Sequence, residues 1–225
     1  MTNDELLRSL GRLVRGLSAL FWGLPAALII CFYTARADGL KSFGIVPPLA
    51  ATALLVYGLW QLGGFQKQER VWRNALDRAR VLSLVNFFLS PFLYWWNRVP
   101  GQSFFLAMVI VFALSALLFL GSINLVLQRL GAMLPDETLR LETKQFTTLN
   151  LNLLCATLVA ALLYWGLGQF RTMPLWLGVV AAVMERGRFW FLVVLVLLPL
   201  AMTMALLWKT KAVILDSIFG GKGET

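Results

Sequence analysis

The twenty residues Phe104–Ile123, FFLAMVIVFALSALLFLGSI, hold no acid, no base and no amide, and their reading decides the class of the fold. At 1.5 Å per residue a helix of that length rises about 30 Å, the thickness of a bilayer's hydrocarbon core. Phe189–Trp208, FWFLVVLVLLPLAMTMALLW, repeats the feature at the same length. Working outward from these two, four shorter runs are also free of Asp, Glu, Lys and Arg: Leu17–Ala35, Ile45–Leu62, Val81–Trp96 and Leu149–Leu167. Val81–Trp96 is the shortest and reaches only about 24 Å, so either Arg80 and Arg98 at its ends snorkel toward the headgroups or the helix sits partly re-entrant around Pro91. The expected fold is all-α: a polytopic integral membrane protein with six transmembrane helices as three hairpins, accompanied by interfacial amphipathic helices.

Composition agrees. The 225 residues are 59% hydrophobic and 14% charged, where soluble domains run about 45–50% apolar and about 25% charged. Mean hydropathy is +0.75. Six spans of about 20 residues leave only short connections, with no room for a soluble catalytic domain. The net charge of +9 raises the question of nucleic acid, and the distribution of the bases answers it. With both termini inside, fourteen of the twenty Lys and Arg fall on inner segments and six on outer ones, the bias of the positive-inside rule. No lysine stripe interleaved with exposed aromatics is present, so no nucleic-acid partner is expected. The expected location is a bacterial cytoplasmic (inner) membrane, N-terminus and C-terminus cytoplasmic.

Three regions follow along the chain. Residues 1–16 read as an N-terminal interfacial amphipathic helix, with Leu6, Leu7, Leu10, Leu13 and Val14 at helical spacing and Arg8, Arg12 and Arg15 between them. Residues 17–208 form the membrane domain, and 209–225 a cytoplasmic amphipathic tail. Gln66–Arg80 reads as an inner helix with i,i+4 charge pairs Glu69–Arg73 and Arg73–Asp77. Pro135-Asp136-Glu137 reads as another helix start, and Pro174–Met184, too short to span, as an outer interfacial segment. Tyr33, Tyr94, Trp95 and Trp96 fall at proposed outer ends, as an interfacial belt would. Thr52-Ala-Leu-Leu55 and Ser115-Ala-Leu-Leu118, followed by Gly58 and Gly121, hint at a repeated hairpin.

The chemistry is defined largely by exclusion. The chain has no histidine, which removes imidazole bases, Ser-His-Asp triads, HExxH zinc helices and histidine-ligated haem. Cys31 and Cys155 lie near opposite membrane faces and are expected to stay unpaired. All eleven acids lie outside the six runs, against a proton or sodium path built on a buried carboxylate. No catalytic residue, cofactor or metal site is expected. Two groups of side chains remain. Asn86, Asn124, Asn150 and Asn152 form a candidate polar layer, either a pocket or interhelical packing. Arg70, Trp72, Arg73 and Arg78 form a candidate cytoplasmic partner surface.

The function expected from this pattern is a non-catalytic subunit or scaffold of a larger membrane assembly, engaged through its cytoplasmic helices. The alternatives are a channel or carrier for a small neutral or apolar solute and, third, an intramembrane enzyme. The expected partners are the lipid bilayer and either a membrane or cytoplasmic protein or further copies of the chain.

Overall fold

A computed structural model describes residues 3–65, 69–133, 137–167 and 175–219. They form helices α1 (Asn3–Arg36), α2 (Val46–Leu62), α3 (Arg70–Leu89), α4 (Pro91–Arg98), α5 (Ser103–Met133), α6 (Glu137–Leu167) and α7 (Leu175–Phe219), with a 3-10 turn at Asp38–Phe43. No strand occurs among the described residues. The expected all-α class is observed. Among the described residues, four stretches are long and apolar enough to cross a membrane: Arg8–Arg36, Ser103–Met133, Arg140–Leu163 and Val196–Asp216. The other two expected spans fall short of that standard. Val46–Leu62 is apolar but only 17 residues long. Val81–Trp96 is divided between α3 and α4 at Ser90, where the Pro91 ring removes a backbone donor.

The helices outrun the apolar stretches that suggested them. α1 continues without a break from Asn3 to Arg36, so the amphipathic start and the first apolar run are one helix, and Leu13 is as buried as Leu17. α7 likewise runs through Glu185 and Arg188 as a single 45-residue helix, so no separate outer segment ends near Met184. The expected helix start at Pro135-Asp136, the connection 168–174 and the end of the tail at 220–225 lie outside the described residues, and α6 begins at Glu137.

Burial along the helices follows one rule. In α1 the covered side chains are Leu13, Leu17, Leu20, Leu24, Ala27, Cys31 and Thr34, with Gly16 and Gly23 buried beside them; in α3 and α4 they are Trp72, Leu76, Ala79, Ser83, Asn86, Ser90 and Leu93. Both series alternate steps of four and three, the spacing that keeps two helices in contact over many turns. The seam passes through Ser90 unbroken, so α3 and α4 bury one continuous stripe despite the proline. Packing joins α1 to α2, α3 to α5, and α6 to both α5 and α7, while α7 also closes against α1.

At the α1–α2 contact the backbones come unusually close. A Cβ added to Gly16 would lie 2.7 Å from the Gly58 carbonyl oxygen, and one added to Gly58 would lie 2.9 Å from Leu20. Only glycine permits that approach, which exchanges side-chain bulk for backbone contact. The suggested hairpin repeat is matched in burial only in part: Thr52 and Ser115 are both buried, as are Gly58 and Gly121, whereas Leu55 is 5% exposed and Leu118, its expected equivalent, 62%.

Candidate functional site

α6 and α7 bring polar side chains inward at the same four–three spacing. Thr143, Thr147, Asn150, Leu154 and Thr157 are covered on α6, and Thr203 and Thr210 on α7. The opposite face of α6 exposes Leu141, Leu149, Leu162 and Leu163. No Asp, Glu, Lys or Arg side chain is buried among the described residues.

Thr203 is the node of this interior. Its hydroxyl donates to the Pro199 carbonyl at 2.8 Å, one turn earlier in α7, and its oxygen accepts from Asn124 Nδ2 and from Asn150 Nδ2, each at 2.9 Å. Asn124 Nδ2 also donates to the Leu120 carbonyl at 2.8 Å, and Asn150 Nδ2 to the Pro199 carbonyl at 3.1 Å. A hydroxyl has one proton and two lone pairs, and an amide nitrogen has two protons. Every donor in the cluster is therefore engaged, while the Oδ1 atoms of Asn124 and Asn150 have no partner. What remains is acceptor capacity alone, suited to a water or another hydrogen-bond donor.

The four expected asparagines thus separate. Asn124 and Asn150 meet through Thr203. Asn86 is buried on α3, which packs against α5 and α2, and its Oδ1 is also unpartnered. Asn152 is exposed. A single layer of four is not formed, because Asn150 and Asn152 are two residues apart and a helix turns them to different faces. Thr203 was not singled out from the sequence; its signal is the Pro199-x-x-x-Thr203 spacing, which puts a hydroxyl beside a carbonyl one turn back.

The expected partner surface also divides. Arg70, Arg73 and Arg78 are exposed on α3, and none has an acidic partner among the described residues. Trp72 is corrected to a core residue: it is 1% exposed, its ring edge-on to Phe65 at 6.4 Å. The seam continued by Leu76 and Ala79 turns it inward. The expected Arg73–Asp77 pair is replaced by Arg80–Asp77 at 3.2 Å. Arg80 reaches the C-terminal end of α2, its Nε donating to the Leu59 carbonyl at 3.4 Å and its guanidinium lying 5.4 Å from the Trp60 ring. A cation at that end also meets the negative pole of the helix dipole.

A groove of about 670 Å³ is lined by Asn74, Asp77, Arg78, Val81 and Leu82, so Arg78 alone of the three exposed arginines lines it. A second, of about 460 Å³, lies along α2 and is lined by Arg12 of α1 together with Tyr57 and Trp60. None of the four asparagines lines either groove. Elsewhere, Asn97 of α4 donates to the Thr34 carbonyl at 3.0 Å, capping the end of α1, and Lys209 pairs with Glu142 between α7 and α6. Among the described residues no group of His, Cys, Asp or Glu is placed to hold a metal ion, and Cys31 and Cys155 are free thiols.

With this geometry in hand, the class is an all-helical protein with four helices able, by length and composition, to cross a membrane. Comparison of the chain with protein-family models, curated proteins and solved structures brings no match.

Proposed function

We propose that the chain is an integral membrane protein of a bacterial inner membrane, with six spans as three hairpins and both termini cytoplasmic, serving as a non-catalytic subunit or scaffold. Support for the membrane part comes from the inverted polarity of α6 and of the middle of the α3–α4 stripe. Thr143, Thr147, Asn150 and Thr157, with Ser83, Asn86 and Ser90, face in, while Leu141 and Leu149, with Val81, Val85 and Phe88, face out. In water that arrangement exposes apolar surface without gain, whereas in lipid each polar group needs an internal partner and each leucine is indifferent to leaving the core. The same inversion at Ser83, Asn86 and Ser90 argues for α3–α4 as a span despite its kink.

The observation that carries the subunit reading is the trio Arg70, Arg73 and Arg78. They stand exposed and without acidic partners among the described residues, and Arg78 lines the groove with Asn74 and Leu82. Three unneutralised guanidiniums on one helix suit an acidic surface of another protein, since Arg is enriched where interfaces form. The test is gentle extraction of the tagged full-length chain followed by mass determination. A stoichiometric second protein is expected, lost when Arg70, Arg73 and Arg78 are all changed to Glu while the chain stays folded in the membrane. Recovery of the chain alone, as a monomer or a closed homo-oligomer, overturns this reading.

A second reading rests on the two unpartnered amide oxygens beside Thr203. They would accept hydrogen bonds from a small neutral solute crossing between α5, α6 and α7. Flux in liposomes that disappears in Asn124→Leu and Asn150→Leu variants, at unchanged protein level, would favour that carrier.

A further inference from the structure

The groove along α2 is graded in polarity, and the gradient runs along its length. Ala53 and Val56 form an apolar wall, Tyr57 and Gln61 add a hydroxyl and an amide one to two turns further on, and Arg12 of α1 closes the end near Gly64. From Ala53 to Gly64 a helix rises about 16 Å. The wall is held in place: the exposed Trp60 ring lies under Arg80, whose guanidinium is anchored on α2 carbonyls and on Asp77. Asp77 is thereby engaged elsewhere. Arg12 has neither an ion pair nor a hydrogen bond among the described residues, and no acid lines the groove.

We propose that this groove holds one anionic glycerophospholipid of the inner leaflet, with an acyl chain along Ala53 and Val56, the ester region beside Tyr57 and Gln61, and the phosphate against Arg12. The inference rests on the membrane reading above, in which the end of α2 and Arg12 both lie at inner headgroup depth. Charge complementarity selects the lipid class. A guanidinium binds phosphate in a two-pronged, charge-assisted geometry, and a headgroup with its own ammonium finds no carboxylate here to receive it. A net-anionic headgroup such as phosphatidylglycerol meets no such mismatch.

The experiment uses the full-length chain purified in mild detergent and then exposed to dioleoyl-phosphatidylglycerol, dioleoyl-phosphatidylcholine or inorganic phosphate, with bound lipid counted by native mass spectrometry. Retention of phosphatidylglycerol well above phosphatidylcholine is expected, and Arg12→Gln lowers it roughly tenfold, the effect of losing one charge-assisted bond. Arg15→Gln, an exposed arginine one turn away that does not line the groove, leaves retention unchanged. Ala53→Trp fills the apolar wall without altering charge and lowers retention by itself, which keeps the test sound should Arg12→Gln fold poorly. Equal retention of the two lipids, or of phosphatidylglycerol by the native chain and both Arg12→Gln and Ala53→Trp, overturns the site. Binding of inorganic phosphate that displaces the lipid effect overturns the lipid as occupant. A chain that never enters the membrane fraction overturns the membrane reading itself, an outcome distinct from a membrane-embedded chain without lipid preference.

Discussion

Along α1 the buried positions are Leu13, Leu17, Leu20, Leu24 and Ala27; along α6, at the same alternation of four and three, they are Thr143, Thr147, Asn150, Leu154 and Thr157. The geometry is shared and the chemistry is opposite. The first pair of helices is drawn together by shape, Gly16 and Gly58 letting two backbones meet where any side chain would intervene. The second group is drawn together by hydrogen bonds, with Thr203 receiving both Asn124 and Asn150. The contrast teaches that a helix pair surrounded by lipid has two routes to association once the hydrophobic effect is unavailable: close van der Waals contact, or polar groups that have nowhere else to bond.

Several substitutions would break or sharpen that contrast. The largest effect is expected on the apolar side, from Trp72→Ala, which empties a fully buried indole site and lowers stability by about 3–5 kcal/mol, measured by reversible unfolding in mixed detergent. A change below 1 kcal/mol would mean that Trp72 is available to a partner after all. Gly16→Val comes next. Its Cβ would meet the Gly58 carbonyl, a backbone atom that cannot rotate away, so the α1–α2 pair must separate at a cost of about 2–3 kcal/mol; an unfolding midpoint equal to the native one would refute shape as the force joining this pair.

On the polar side the expected figures are smaller. Thr203→Val removes two interhelical bonds worth about 0.6 kcal/mol each, so about 1 kcal/mol is expected. A double-mutant cycle between Asn124→Ala and Asn150→Ala should also give non-zero coupling, because both act through one hydroxyl. Strict additivity would show that the two asparagines are independent. The smallest effect belongs to the surface. Arg70, Arg73 and Arg78 changed together to Gln should shift stability by less than about 0.5 kcal/mol per site, while weakening partner retention; loss of folded protein instead would assign these arginines to the fold.

Much of this architecture was legible in the sequence because it depends on local sums. The absence of ionisable residues from Phe104–Ile123 is a property of consecutive residues, and so is the helical class. Helix ends were less legible. α1 and α7 extend well past their apolar runs, since backbone hydrogen bonding continues through Arg12 or Arg188 as readily as through leucine. Of the candidate partner surface, Arg70, Arg73 and Arg78 are exposed and Trp72 is buried. Trp72 was the exception, because arginines on either side of it in the sequence are on the other side of it in the helix.

The sequence by itself determined that the chain is helical, rich in stretches long enough for a bilayer, free of histidine, and without charged residues in its six apolar runs. Those properties follow from composition and from transfer free energies that add along a segment. Tertiary structure alone decided which polar groups meet. Asn124, Asn150 and Thr203 are separated by up to 79 residues, and nothing local indicates that one hydroxyl serves two amides. The same holds for Arg80 at the end of α2 and for Arg12 in one groove with Tyr57. A helix's period says which residues share a face, but which face turns inward is fixed by the neighbours it packs against, and they belong to distant parts of the chain.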